Sequence, residues 1–164
     1  MLAPATRWPS KAWPAGRWSL LGRQLLEADA SLKLLLVGSP SERAACGAVA
    51  QGLQGWSQRV VDLAGQTQIG ELMACIEDAS LTIASDSAPL HMAMGLGGRC
   101  LGLYGPTDSS IVGPWRGMDK VIQAQWAPGE RPDYRDNTLG DSLMRRIEVE
   151  SVLEAALDAL GMGI

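Results

Sequence analysis

Histidine and cysteine are scarce in this chain: one histidine and three cysteines among 164 residues. Cys46, Cys75 and Cys100 stand far apart, with none of the spacings that hold zinc or support dithiol chemistry. They read as small buried apolar residues of a protein kept in a reducing compartment. The lone histidine, with no second histidine or paired acid, supports no metal site. Any apolar run near the about 18 residues that a bilayer span needs is also missing, and the N-terminus lacks a secretory pattern. The cytoplasm is therefore the expected location. Basic residues are scattered and the formal net charge is −4, so no basic face is available to a nucleic-acid backbone. The nucleophile elbow G-x-S-x-G is absent too.

What remains is ordinary globular composition, 46% hydrophobic and 20% charged, in a length that suits one domain spanning 1–164. The opening "MLAPATRW" leaves only Leu2 and Ala3 before a proline, a stub of a strand, and a domain that begins in mid-strand is expected to be part of something longer. Next, "WPAGRWSLLGRQLLEAD" puts Trp18, Leu21, Leu25 and Ala28 on one helical face behind Pro14. "LKLLLVG" is a continuous apolar run of strand length, as in a buried parallel sheet. "SERAACGAVAQGL" predicts a helix capped by Ser41, with Ala45, Val49 and Leu53 inward. "RVVDLAG" predicts a third strand ending in Gly65, and "TQIGELMACIEDA" a helix capped by Thr67. "LTIA", "APLHMAMGLG" and "CLGLYG" supply a strand, a helix and a strand. The stretch from 106 to about 146 is polar and rich in glycine and proline, with "KVIQ" as a short sixth strand, before "IEVESVLEAALDALG" closes as a helix.

Strand and helix thus alternate through five or six rounds, which implies an α/β fold: a Rossmann-like parallel sheet with helices on both faces. The order 3-2-1-4-5-6 is the commonest for this count, and its ligand crevice opens at the carboxyl ends of strands one and four. The loops leaving those strands carry Thr6–Lys11 and Asp86–His91, which topology places across one cleft. "SDSAP" reads as a helix start whose free N–H groups and dipole favour an anion. Ser87 could donate to a phosphate, His91 could add a donor or a charge, and Lys11 would supply a mobile cation for a diphosphate. The plainer alternative is that Asp86 and Ser87 only cap the helix and that His91 sits in the core. A Ser–His–Asp triad fits less well, because all three residues lie within about one turn. Glu42, after strand two, stands where an acidic residue binds ribose in such folds, or it favours only its own helix dipole. Thr107 and Asp108, after strand five, offer polar groups near a ligand's distal end, or turn chemistry alone. Trp13 and Trp18 are expected to pack, while Trp8 is carried on a loop.

"ATRWPSKAWP", "GSPSE", "LAGQT", "SDSAPLHMAMGLG" and "YGPTDSSIVGPW" occur in this order. Together they resemble the C-terminal half of glycosyltransferase family 9, the ADP-heptose:lipopolysaccharide heptosyltransferases of GT-B fold. The resemblance covers nearly the whole chain and is weakest from 124 to 146. It implies a nucleotide-sugar donor, ADP-heptose, with Thr6 and Lys11 at its phosphates, Glu42 at the ribose and Thr67 near the nucleoside. Asp86, Ser87, Ala88 and His91 would hold the diphosphate and sugar. Glycine is usual in the family where this chain has Ala88. The family's transfer is inverting and needs no metal or other cofactor. In that picture the lipopolysaccharide acceptor and the base belong to an N-terminal half outside this sequence, and the fragment alone is inactive. A full-length enzyme would be cytoplasmic or peripheral at the inner membrane. A non-catalytic nucleotide-binding module and an unrelated flavodoxin-like domain stand as the alternatives.

Overall fold

The computed structural model describes residues 1–113 and 121–163. Six strands form one parallel sheet: β1 (Leu2–Ala3), β2 (Leu34–Leu36), β3 (Val60–Asp62), β4 (Thr82–Ser85), β5 (Cys100–Tyr104) and β6 (Val121–Gln123), in the order β3-β2-β1-β4-β5-β6. This is the expected Rossmann order, and the short opening stub is indeed its central strand. Lys120, the first residue of the expected sixth strand, and Pro114 and Trp115 lie outside the described residues.

Seven α-helices occur among the described residues: α1 (Ala15–Ala28), α2 (Arg43–Gln51), α3 (Ile69–Asp78), α4 (Ala88–Gly95), α5 (Ser109–Val112), α6 (Asn137–Met144) and α7 (Val149–Ala159). Side chains alternate across the sheet and build two cores. On one side Leu2, Leu36, Ile83 and Leu103 meet Trp18, Leu21 and Leu25 of α1, Val49 of α2, and Val152 and Ala156 of α7. On the other, Ala3, Ala84 and Tyr104 meet Ile76 of α3 and Leu90 and Ala93 of α4. Trp13 and Trp18, both buried, meet edge to face at 5.1 Å, and Trp13 Nε1 donates to Ile147 O at 3.0 Å.

Several local expectations need correction. Ala28 and Ala45 are exposed; the inward face of α2 is Cys46 and Val49, continued by Leu53. Cys46 and Cys100 are buried but Cys75 is only half-buried. Ser41 does not cap α2. A short 3-10 turn, Pro40–Glu42, comes first, and Glu42 Oε2 accepts from Ser39 N at 2.7 Å. Thr67 precedes the cap of α3, which is Gln68, whose N–H is taken by Glu71 Oε2 at 2.8 Å. The largest difference is α6, in the stretch read as irregular. Asp136 caps it by accepting from the N–H groups of Thr138 and Leu139. It packs against the 3-10 turn Pro9–Lys11 that follows β1.

Candidate functional site

Register sets the site. Ala3 of β1 pairs with Ala84 of β4, so the chain leaves both strands at the same level and Ala5–Lys11 faces Asp86–His91. The fold brings the two segments into contact rather than merely across a gap. Lys11 Nζ donates to Asp86 Oδ2 at 2.7 Å, and His91 Nε2 lies 3.1 Å from Asp86 Oδ1. Asp86 does not cap α4, as the plainer alternative had it; it bridges two cationic or donor side chains.

The burial of the three partners differs. The Asp86 side chain is 8% exposed, that of Lys11 13% and that of His91 46%. His91 is therefore no core residue. Lys11 is held in place, not mobile as expected. Burial alone would push the Asp86 carboxyl up, but the hydrogen bonds from His91 and Lys11 and the lysine charge outweigh it and bring its pKa down to about 2. Thr107 also lowers it, although its buried Oγ1 makes no hydrogen bond of good geometry.

At the start of α4, Ser87 occupies the N-cap position with extended backbone, but its Oγ donates to Ser85 O at 3.0 Å and not to the helix. No side chain caps α4: Pro89 has no N–H, and the N–H groups of Leu90 and His91 donate to Ser87 O at 3.1 and 3.4 Å, so the helix start offers an anion the N–H of Ala88. Proline lies in the first helical turn behind the exposed Ala88.

Two cavities flank Asp86, and the expected site residues divide between them. The larger, about 920 Å³, is lined by Thr6, Glu42, Thr67, Asp86, Ser87 and Ala88. The other, about 520 Å³, is lined by Lys11, Asp86, Thr107 and Asp108. Trp8 and Asp86 line both. His91 lines neither, although it touches Asp86. Thr6 Oγ1 accepts only a long contact from Trp8 N, 3.5 Å. Asp108 Oδ1 accepts from Ser110 N and Oγ at 2.9 and 2.6 Å, so its turn role is realised.

Sequence reading missed residues in both cavities. Ile69, 68% exposed, and Leu72 give the larger one an apolar wall, of the kind that suits a flat base. In sequence they are indistinguishable from core positions of an amphipathic helix. Trp126, Arg131 and Tyr134 line the smaller cavity. They come from the stretch with no periodicity, and no local signal marks them.

Fold and site together define the class: an α/β protein of Rossmann-like plan, with its crevice at the switch between β1 and β4 and the start of α4 inside it. The family model for glycosyltransferase family 9 (heptosyltransferase) matches residues 1–138. The chain belongs to that family. Lipopolysaccharide heptosyltransferase 3 of Escherichia coli is 32% identical over 157 residues, 95% of this chain and 43% of that protein. The solved structure of E. coli ADP-heptose lipopolysaccharide heptosyltransferase II superimposes with a TM-score of 0.82 at 23% identity, covering 97% of this chain and 45% of that one. E. coli heptosyltransferase WaaC with ADP-2-deoxy-2-fluoro heptose superimposes with a TM-score of 0.69 at 20% identity, over 96% of this chain and 42% of that one. The chain spans under half the length of these relatives, and the solved ones share its Rossmann-like fold. Among the described residues no helix is long and apolar enough to cross a membrane.

Proposed function

We propose that this chain is the donor-binding half of a lipopolysaccharide heptosyltransferase-like enzyme and takes an ADP-sugar. The observation that carries the reading is the contact of the Lys11 turn with the Asp86 turn, between two cavities at the sheet's switch point. The larger cavity takes the nucleoside: Ile69 and Leu72 give the base an apolar wall beside Thr67, and Glu42, with Oε2 accepting from Ser39 N, offers Oε1 to the ribose. The diphosphate lies at the uncapped start of α4, against Ser87 and within reach of Lys11 and His91. The sugar end points to the smaller cavity, where Thr107 and Asp108 stand. A relative solved with an ADP-heptose analogue supports an ADP-sugar as the ligand class.

The chemistry follows from charge. An acceptor hydroxyl attacks the anomeric carbon, the bond from that carbon to the diphosphate oxygen breaks, and its electron pair leaves with the diphosphate. Lys11 and His91 favour the departing negative charge. Asp86 holds both donors in place and partly offsets the lysine charge, so the site is poised for an anion with neither donor loose. The acceptor hydroxyl's proton goes to a base in the other half of the enzyme, which also meets the lipopolysaccharide core on the cytoplasmic side of the inner membrane.

Calorimetry of this chain with ADP, UDP and GDP tests the reading. ADP is expected to bind, and Lys11→Ala and His91→Ala are each expected to weaken it about 10-fold, the loss of one charge-assisted hydrogen bond. Unchanged affinity in both variants would overturn the phosphate assignment.

A further inference from the structure

We infer that Tyr134 is a positioning residue for Lys11: its ring fixes the ammonium that, on the reading above, meets the diphosphate. Lysine is a four-carbon stem with a compact charge and ordinarily samples many rotamers. Here Lys11 ends a three-residue 3-10 turn, Pro9–Lys11, yet its side chain is 13% exposed. Asp86 accounts for one side of the ammonium. The other is the ring of Tyr134, whose centroid lies 4.8 Å from Lys11 Nζ, the distance of a cation–π contact.

The ring is itself held by the turn it serves. Trp8 meets it edge to face at 5.1 Å and 75°. Ser10 Oγ donates to the Tyr134 carbonyl. Two residues just before Lys11 in the same loop thus grip Tyr134, while Lys11 rests on its face. The Arg135 guanidinium also lies over this ring, at 5.0 Å, but its side chain is 66% exposed where that of Lys11 is 13% exposed. The Tyr134 hydroxyl makes no hydrogen bond among the described residues, so the aromatic face and not the phenol does the positioning. Lys11 meets Asp86 as its only described carboxylate, and a ring holds a cation in place without neutralising it. The ammonium therefore stays available to a second anion on its open side.

Tyr134→Phe and Tyr134→Leu separate these roles. In the unliganded wild-type chain, NMR should show the Lys11 Hε protons shifted upfield by the ring, with NOEs to the Tyr134 ring protons. Tyr134→Phe should keep the shift and Tyr134→Leu should lose it. By calorimetry, Tyr134→Leu should weaken ADP about 3- to 10-fold, leave AMP unchanged, and have no effect once Lys11 is Ala, whereas Tyr134→Phe should match wild type. An unshifted Lys11 in the wild-type chain overturns the inference, whatever the variants do. So does a Tyr134→Phe loss as large as that of Tyr134→Leu. If the wild-type chain binds no ADP, the nucleotide reading fails while the NMR result still decides the role of Tyr134.

Discussion

Gly140 of α6 lies so close to Ser10 that a β-carbon placed on it would stand 2.6 Å from the Ser10 carbonyl oxygen and 2.7 Å from its Cα. A helix from the stretch without sequence periodicity therefore sits directly on the backbone turn that presents Lys11. Glycine inside a helix ordinarily costs about 1 kcal/mol against alanine. At Gly140 the sign reverses, because backbone cannot move aside as a flexible side chain can. Gly140→Ala should destabilise the chain by about 1–3 kcal/mol and weaken ADP as Lys11 shifts. Gly47, inside α2, has nothing within 4 Å of its added β-carbon, and Gly47→Ala should instead stabilise by about 1 kcal/mol. Urea melts of the two variants should move in opposite directions.

Acid should release the bridge at Asp86. Its folded pKa of about 2 lies below the unfolded value of about 3.9. The depressed value means that its stabilisation is complete above about pH 4 and is lost as pH falls through 2. Asp86→Asn lacks that stabilisation. The stability difference between wild type and Asp86→Asn should shrink by about 2 kcal/mol between pH 5 and pH 2. A difference that stays constant over that range would show that the carboxylate is not held by Lys11 and His91 in solution.

Ala88 opens α4 with its side chain exposed to the larger cavity. Ser87 before it is extended, and Pro89 after it suits the first turn. Nothing in that backbone asks for glycine. Ala88→Gly should therefore lower stability by about 0.4–1 kcal/mol through the unfolded chain alone and leave ADP affinity as it was. A clear gain in ADP affinity would mean that the methyl group crowds the diphosphate.

Donor binding and transfer should come apart in this chain. With under half the length of its relatives, it is expected to bind ADP but to show no heptosyl transfer from ADP-heptose to lipopolysaccharide core. Turnover by the purified 164-residue chain would refute this, because it would require an acceptor site and a base within the chain itself.

The alternation of apolar runs with amphipathic segments determined the parallel sheet, its order and the crevice, because each buried strand and each one-faced helix declares its period locally. It also placed Lys11 and Asp86 on facing loops, since parallel strands that pair side by side must release their chains at one level. Tertiary structure alone decided the rest. That Asp86 meets Lys11 as well as the nearby His91, rather than capping α4, depends on a distance across the sheet, and a capping residue and an ion-pair partner look the same in sequence. That Thr6 and Lys11 line different cavities depends on where Trp8 falls between them. Tyr134, Arg131 and Trp126 reach the site from a segment without period: Tyr134 is placed by the Ser10 hydrogen bond and the Trp8 ring, Trp126 by donating to Gly105 O at 2.9 Å, and α6 behind them by the missing side chain of Gly140. The contacts with Trp8 and Ser10 join residues more than a hundred positions apart, and their energy is felt only after the sheet has brought the chain together.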